Sequence, residues 1–569
     1  NKFADQMTDE IRKSFTLYAM DLTAKEITRA ALKQNGLEIV LSQNEEEEDF
    51  WGDVDSVQLL EEYTNRPIGK PYESMEAALD EWTPGQPFNF VVRQVPAKIR
   101  QLSLDELMDS MDPDGKLREQ AKEKNIALPT EEIVTLKQLA ADCSRRAEST
   151  PKEDDFAFAG LDKRGYTPIS RSDLLLQNKN EDGTENQKTL MHVMDALATH
   201  GALVVDLTDE GTNFKLALKM AKMWEAGKLF YDTLDSKPEL ESSLPGMQAV
   251  EEESRSLHAK VGYANVDNGE LQCLETRFLR SDNTLLPKEA RDILGIDATN
   301  ALREAFDVVC DIGKDIVRVS VGASSAVSDA FLDDLEREPS EEDELRNNVK
   351  SSQAALLMAN ELMDDGKVLG DSSSISDLQE GSVNMSPHRL YRYTNKGASK
   401  SNDNKASSLS REILDSHTDS SFITCVPVAA VGGLEVFDED TEYWYRPELM
   451  ARKSWQKEME ARGADSSALF ENVSGEGGEE TQLPWHARYI VVIPGEFMQL
   501  TTRDEVPAAV HRVVAAKNKT FQLGAPILMC GRPGMKLDVP RYLGHLDLAG
   551  PLLNEVNGKS IDEIHNAMQ

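Results

Sequence analysis

The chain has 569 residues, a net charge of −39 at pH 7 and 40% hydrophobic residues. This length predicts about three domains, or two with long insertions, and a core that needs no disulfide or metal to hold it together. The negative charge repels phosphate backbones and anionic lipid, so we expect neither nucleic acid nor a membrane as a partner. No run of ~18 apolar residues predicts a membrane span.

Cysteine usage bears on the compartment. The five cysteines lie far apart, and no two of them have the CxxC spacing. An odd number of scattered cysteines favours reduced thiols and therefore an intracellular location, with the cytoplasm as the default. The first residue is not Met, so a removed targeting peptide, and with it an organelle, stays open.

The first 150 residues form a separate region in which no motif indicates chemistry. Helical spacing, turn signals and β-rich runs predict the following elements: helices at 1–35, Leu102–Met111 and Thr130–Ala147, and a strand at Phe88–Val92. We predict that residues 1–150 form an acidic α+β or helical domain that mediates protein contacts. A polar linker, Ser149–Asp155, follows it.

The remaining chain changes from helical to strand-rich. The apolar patterns predict helices at Lys188–His200, Asn213–Leu229, Ala301–Val321 and Glu344–Met363, with a buried strand at Gly201–Leu207. Strands are predicted at His388–Tyr393, Ser421–Val428, Tyr489–Ile493 and Gln522–Cys530. We therefore predict a helical part at 160–345, a strand-rich domain at 346–535 with an insertion at 438–484, and a C-terminal tail at 536–569.

Three residues in the strand-rich part have the chemistry of a metal site. His417 and Asp419 are two positions apart in a segment before a β-rich run, and His511 ends a later apolar segment. Residues i and i+2 of an extended segment point to the same side, so both side chains can reach one ion. Two imidazoles and one carboxylate on one face of an octahedral metal leave three positions open, as in non-haem iron(II) oxygenases.

The order of the neighbouring motifs narrows the class. Gly432-Gly433-Leu434-Glu435-Val436 follows His417-Thr418-Asp419, and His511-Arg512-Val513 comes after Gly495-Glu496 and Gln499–Thr502. Upstream, Arg389-Leu390-Tyr391-Arg392-Tyr393 is similar to an Arg-Leu-Asn-x-Tyr strand. In this order, residues 160–535 resemble the isopenicillin N synthase-like family of iron(II)/2-oxoglutarate-dependent dioxygenases.

The resemblance implies a fold and an activity. The fold would be α+β, with a double-stranded β-helix (jelly-roll, cupin-like) core flanked by helices and an extra N-terminal domain. Iron(II) would bind to His417, Asp419 and His511, and the enzyme would use 2-oxoglutarate and dioxygen to hydroxylate, desaturate or cyclise a small organic substrate.

One part of the family pattern is absent. About ten residues after the second histidine, the family has Arg-x-Ser, which binds the far carboxylate of 2-oxoglutarate. Phe521 and Leu523 occupy those two places in this sequence, so we name Tyr393 and Lys519 as candidate co-substrate residues. Two alternatives stay open: an iron oxidase of the same fold that does not use 2-oxoglutarate, and an inactive binding or scaffold protein.

Overall fold

A computed structural model describes most of the chain beyond residue 132. The described ranges are 37–41, 90–94, 133–151, 167–175, 187–208, 214–249, 259–266, 269–280, 282–331, 341–369, 383–394, 412–439, 443–474, 480–514 and 522–568. The chain divides into two compact units, Asn1–Glu132 and Ile133–Gln569. In the first unit, strands β1 (Leu37–Leu41) and β2 (Phe90–Gln94) pair antiparallel. The helices predicted at 1–35 and 102–111 lie outside the described residues.

The second unit contains both helices and strands. Its helices are α1 Leu136–Ser149, α2 Arg171–Leu174, α3 Gln187–His200, α4 Lys215–Ser236, α5 Lys288–Ala323, α6 Ser325–Asp329, α7 Glu341–Leu362, α8 Pro447–Ala461, α9 Glu496–Thr501, α10 Val539–Tyr542, α11 Gly550–Val556 and α12 Ile561–Met568. Its strands are β3 Ile169–Ser170, β4 Leu203–Asp206, β5 Gln248–Ala249, β6 Lys260–Val266, β7 Leu271–Phe278, β8 Leu285–Leu286, β9 His388–Tyr393, β10 Glu412–His417, β11 Ile423–Pro427, β12 Leu434–Asp438, β13 Tyr443–Tyr445, β14 Phe470–Ser474, β15 Glu480–Pro484, β16 Tyr489–Pro494, β17 His511–Val514, β18 Gln522–Gly524 and β19 Ile527–Met529. This composition confirms the mixed helix-and-sheet class.

Two sheets of the second unit carry the residues of interest. The larger has the order β3-β4-β16-β11-β19-β9-β7-β6-β5, with β18 beside β9 and β8 beside β7. The smaller has the order β10-β17-β12-β13. All strand pairs in both sheets are antiparallel except β3 with β4. The chain crosses from the smaller sheet to the larger between β10 and β11.

The longest helix supports the larger sheet. Helix α5 spans 36 residues, more than the predicted Ala301–Val321, with non-helical backbone at Gly295. The apolar residues that recur at helical spacing are all buried, as predicted: Leu302, Phe306, Val309, Ile312, Ile316 and Val319. A Cβ atom at Gly313 would lie 3.2 Å from Ile423 of β11 and 3.3 Å from Met529 of β19. The absent side chain therefore lets the helix backbone approach the sheet closely.

Helix α1 belongs to the second unit. We expected it within an N-terminal domain ending near residue 150, whereas the boundary between the units falls after Glu132. The Thr135 hydroxyl caps its N-terminus by accepting from the Gln138 N–H at 3.2 Å. Its buried side chains Leu136, Leu139 and Cys143 join the main core.

The C-terminal segment is folded. We described residues 536–569 as a tail, but α10, α11 and α12 bury apolar side chains in the main core. Leu136 of α1 donates its N–H to the Glu555 carboxylate of α11 at 3.0 Å. The two ends of this unit therefore pack against each other.

One predicted strand is divided in two. We expected Gln522–Cys530 to be continuous, but β18 ends at Gly524 and β19 begins at Ile527. Pro526 lies between them, and proline has no N–H to donate to a sheet ladder. As a result β18 pairs only with β9, while β19 pairs with both β9 and β11.

Candidate metal centre

The three predicted ligands converge where the two sheets meet. His417 ends β10 and His511 begins β17, and the two residues are direct partners in the smaller sheet. Asp419 lies in the turn that leads from β10 to β11 of the larger sheet. Each residue offers one ligand atom, and these atoms all lie within 4.8 Å of one another. Among the described residues this is the only group of its kind.

The hydrogen bonds of the two histidines define their orientation. The His417 Nδ1 lies 2.7 Å from the Asp415 carbonyl oxygen, and the His511 Nδ1 lies 3.1 Å from the Ala509 carbonyl oxygen. A carbonyl can only accept, so each Nδ1 donates its N–H, and Nε2 is the ring atom that can bind a metal. The Nε2 atoms lie 3.9 Å and 3.5 Å from the Asp419 carboxylate oxygens. Backbone carbonyls that accept from Nδ1 in this way fix the orientation of histidines that bind a metal through Nε2.

Asp419 is buried yet favours its ionised form. Burial opposes ionisation, but the imidazoles of His511 and His417 and the Thr424 hydroxyl outweigh it, so the pKa of Asp419 lies below its ordinary value. Thr424 donates to the Asp419 Oδ2 at 2.6 Å. Thr424 was not predicted as a site residue, although its position on β11, five residues after Asp419, could have indicated it. Burial and the neighbouring His417 lower the pKa of His511 to about 4.

The motif residues around the triad have structural roles that their types explain. Arg512, fully buried beside His511, donates from Nε to the Glu435 carboxylate at 2.8 Å and joins β17 to β12. At Gly433, a Cβ atom would lie 2.0 Å from the Gln522 Nε2 and 2.5 Å from the Val514 carbonyl oxygen. Only glycine therefore fits at this position.

Helix α9 connects the two segments that carry the triad. The Glu496 N–H donates to the Asp419 carbonyl at 2.9 Å, and Thr418 donates to the Glu496 carboxylate at 2.8 Å. At the other end of α9, the Gln499 side-chain oxygen accepts from the Ala508 N–H at 2.9 Å, three residues before His511. No helix was predicted for this segment from the sequence.

Helix α1 packs onto this connection. Arg146 donates from Nη2 to the Ala508 carbonyl at 2.6 Å and lies 3.3 Å from the Gln499 side-chain oxygen. The Cys143 thiol approaches the same oxygen at 3.4 Å. Residues upstream of the segment that resembles the dioxygenases thus hold the loop that leads to His511. No pattern in the sequence indicated this contact.

A pocket runs from the triad into the space between the sheets. Together with the open space at its mouth, the pocket measures about 630 Å³. Its walls are mostly apolar, and among its described lining residues Arg389 is the only lysine or arginine. The apolar lining is formed by Leu414, Val426, Pro427, Ala429, Leu434, Val513, Leu523, Pro526 and Leu528. Such walls exclude water and strengthen the electrostatic effect of each polar group inside.

The two candidate co-substrate residues have different outcomes. Tyr393 lines the pocket, and its ring stacks on that of Tyr391 with centroids 5.4 Å apart. Lys519 lies outside the described residues. The register of β18 with β9 places Gln522 opposite Tyr393 and Gly524 opposite Tyr391. The Gln522 side-chain amide therefore lies beside Tyr393 in the pocket. Its Oε1 is buried and has no hydrogen-bond partner among the described residues.

Two further histidines lie apart from the triad. His388, the first residue of β9, is fully buried, and neither ring nitrogen has a partner within the described ranges. Burial lowers its pKa to about 4. His486 lies against the rings of Trp224 and Trp485. Both histidines therefore have packed rather than ligand-like surroundings.

Comparisons with known proteins give results only among solved structures. No protein-family model matches the chain, and no curated protein does. The structure of dioxygenase for auxin oxidation 1 from Arabidopsis thaliana, bound to 2-oxoglutarate, is 12% identical and has a TM-score of 0.34, covering 65% of this chain and 94% of that chain.

Two further solved structures are similar to the same extent. A 2OG-Fe(II) oxygenase family protein from Caulobacter crescentus is 13% identical with a TM-score of 0.37, covering 71% of this chain and 97% of that one. The rice dioxygenase for auxin oxidation is 14% identical with a TM-score of 0.35, covering 70% of this chain and 93% of that one. The function proposed below rests on the geometry of the site.

In the described parts of the chain, no helix combines the length and apolar character needed to cross a bilayer.

Proposed function

We propose that this protein is a non-haem iron(II) oxygenase that uses 2-oxoglutarate and dioxygen to oxidise a small organic substrate. The two facing sheets would then be the halves of a double-stranded β-helix, with the metal at its mouth. The observation that carries the proposal is the convergence of His417, Asp419 and His511, with ligand atoms within 4.8 Å of one another.

The donor set fits iron(II). Two imidazoles and one carboxylate would hold one face of an octahedral ion and leave the opposite face for co-substrate and dioxygen. The Asp415 and Ala509 carbonyls fix the imidazoles, and Thr424 fixes the carboxylate. When bound, iron(II) supplies the activation of dioxygen that protein side chains alone do not provide.

The protein's own residues prepare this chemistry in three ways. Asp419 is ionised at neutral pH, so no proton has to leave before a cation binds. The apolar walls, which include Leu434 and Val513, exclude water from the reacting groups. Tyr391 and Tyr393 add the polar groups that can orient a co-substrate on the wall formed by β9.

The proposal is tested in two stages. Cobalt(II), used as a spectroscopic probe, should bind at one ion per chain and give the visible absorption of a nitrogen- and oxygen-ligated site, and His417→Ala should abolish it. With iron(II), 2-oxoglutarate and dioxygen, the protein should release succinate and carbon dioxide, slowly without a substrate and faster with one. A chain that binds no metal would refute the proposal.

A second function is favoured by Gln522, which lies opposite Tyr393. Its amide is uncharged, whereas a co-substrate carboxylate at this wall would need a cation. An iron oxidase of the same fold, in which the substrate supplies all the electrons, needs no 2-oxoglutarate. Oxygen consumption that is independent of added keto-acid would support this second function. Metal binding without any oxygen consumption would instead support an inactive binding protein.

A further inference from the structure

The wall of the pocket formed by β9 presents one face of alternating residues. Arg389, Tyr391 and Tyr393 line the pocket, while Leu390 and Arg392 point to the opposite face. On that opposite face Arg392 contacts Gln272 and Asp235, so its charge is directed away from the pocket. Arg389 is therefore the basic side chain of this strand that a bound ligand can reach.

The surroundings of Arg389 leave a positive charge uncompensated. Its Nε donates to the Glu275 Oε2 at 2.9 Å, and Arg277 donates to the other oxygen of the same carboxylate at 2.8 Å. Two guanidinium groups thus share one carboxylate. Of the two acids among the described residues that line the pocket, Asp419 belongs to the metal triad, and Glu448 accepts from the N–H groups of Ala429, Gly433 and Leu434. One positive charge faces a largely apolar pocket, which favours an anionic ligand.

The guanidinium has donors available for that ligand. Of its five N–H groups, one is directed to Glu275, and the two Nη groups have no hydrogen-bond partner within the described ranges. The side chain is 31% exposed although its strand lies inside the sheet, so its open side faces the pocket. Paired Nη donors match the two oxygens of a carboxylate.

The distance from the triad suits a dicarboxylate. Strand β9 is separated from β11 by β19 alone, and the Arg389 N–H donates to the Pro526 carbonyl just before β19. Two strand spacings place the Arg389 backbone roughly 10 Å from β11, which carries Thr424, the partner of Asp419. An arginine side chain and a five-carbon diacid together fit within this span.

We propose that Arg389 binds the far carboxylate of 2-oxoglutarate, in the role that the absent Arg-x-Ser would have had. This inference rests on the proposed function. The positive charge that binds this carboxylate would then lie on β9 instead of β18. The hydroxyl groups of Tyr391 and Tyr393 lie on the same face of β9. The ligand class is a 2-keto acid with a second carboxylate, as distinct from a 2-keto monoacid.

The test removes the positive charge of Arg389 from the protein and the far carboxylate from the ligand, and compares the effects on binding. Binding of 2-oxoglutarate and of 2-oxopentanoate, a monoacid with the same number of carbons, is measured by calorimetry on the wild type and Arg389→Ala, each loaded with manganese(II). The wild type should prefer 2-oxoglutarate by ~100-fold, because a desolvated charge pair that loses one partner weakens binding by about this factor. In Arg389→Ala the two ligands should bind alike.

Control variants separate this role from a structural one. Arg392→Ala removes a guanidinium from the other face of the same strand and should keep the preference for 2-oxoglutarate. Arg389→Lys should keep part of it, and Arg389→Gln serves if the alanine variant does not fold. Manganese affinity should be the same in the wild type and the Arg389 variants.

The outcomes distinguish the inference from the proposed function. A wild type that binds manganese but shows no preference for 2-oxoglutarate refutes the co-substrate, and the inference with it. A wild type with the preference and an Arg389→Ala variant that retains it refutes the inference alone. Equal weakening of both ligands by Arg389→Ala also refutes it, because a structural defect does not distinguish a ligand with two carboxylates from one with a single carboxylate.

Discussion

The two ends of the pocket differ in how the chain encodes them. At the metal end, His417 and Asp419 are two residues apart, and His511 is the direct strand partner of His417. At the β9 wall, the main ionic contact joins Arg389 to Glu275, 114 residues away in the chain. Local spacing brings two of the three metal ligands together and strand pairing adds His511, whereas the contact of Arg389 with Glu275 depends on the register of β7 with β9 alone. A motif therefore identifies the metal end more readily than the wall.

The largest expected effect is the loss of the carboxylate at the metal end. Asp419→Asn replaces an anionic ligand by a neutral amide, and we expect cobalt(II) affinity to fall by more than about 100-fold, beyond the effect of outer partners. Asp415→Asn is the matched control, because its side chain is exposed while its carbonyl accepts from His417. If both variants bind cobalt(II) equally, the metal end is not where we place it.

The wall should show its own pH dependence through His388. Its pKa is about 4 in the folded protein, below the ordinary 6.5, so the unfolded chain binds more protons between these values. Stability of the metal-free protein should therefore fall as pH drops from 6.5 to 4, by about 3 kcal/mol from this residue. His388→Leu should lessen that fall in urea titrations at several pH values. Parallel pH profiles for the variant and the wild type would contradict this assignment.

A smaller effect is expected from the partner of Asp419. Thr424→Val keeps the shape of the side chain and removes the hydroxyl that donates to the Asp419 Oδ2. Loss of such an outer partner typically lowers metal affinity about 10- to 100-fold, which a cobalt(II) titration measures. Thr424→Ser restores the hydroxyl and should recover most of the affinity. No change in the valine variant would mean that Thr424 does not orient the carboxylate.

The smallest effect should come from the helix outside the motifs. Arg146→Ala removes the donors to the Ala508 carbonyl and to Gln499, so the loop before His511 becomes less fixed. We expect about threefold weaker cobalt(II) binding and about 1–3 kcal/mol lower stability. The control Arg145→Ala removes an exposed neighbouring side chain and should leave both the cobalt(II) affinity and the stability unchanged. An Arg146 variant that loses stability but keeps its metal affinity would confine the helix to a packing role.

Much of the fold could be predicted from the periodicity of apolar residues. The strand His388–Tyr393 was predicted with the bounds that the structure has, and the helix predicted at Lys188–His200 is observed as Gln187–His200. His417 and Asp419 were predicted because extended backbone places i and i+2 on one side, and His511 was predicted from the order of the motifs that follow them. The roles assigned to Tyr393 and Lys519 stay predictions.

The parts that escaped prediction depend on contacts distant in sequence. The sequence placed Phe521 and Leu523 at the co-substrate positions, whereas strand pairing sets Gln522 opposite Tyr393. Helix Glu496–Thr501 is stabilised by contacts at both ends, with Asp419 and with Ala508, that no local pattern contains. The contact of Arg146 with Ala508 spans 362 residues. Register and tertiary packing, which a single sequence does not display, decide each of these.

Helix Leu136–Ser149 has a practical consequence for anyone who trims this chain. A fragment that starts at residue 160, where the likeness to dioxygenases begins, would lack the buried side chains of Leu136, Leu139 and Cys143. The apolar core surface that they cover would then be exposed to water. The same truncation would remove Arg146, which binds the Ala508 carbonyl in the loop before His511. A workable catalytic fragment should therefore begin no later than Ile133, the first residue of its compact unit.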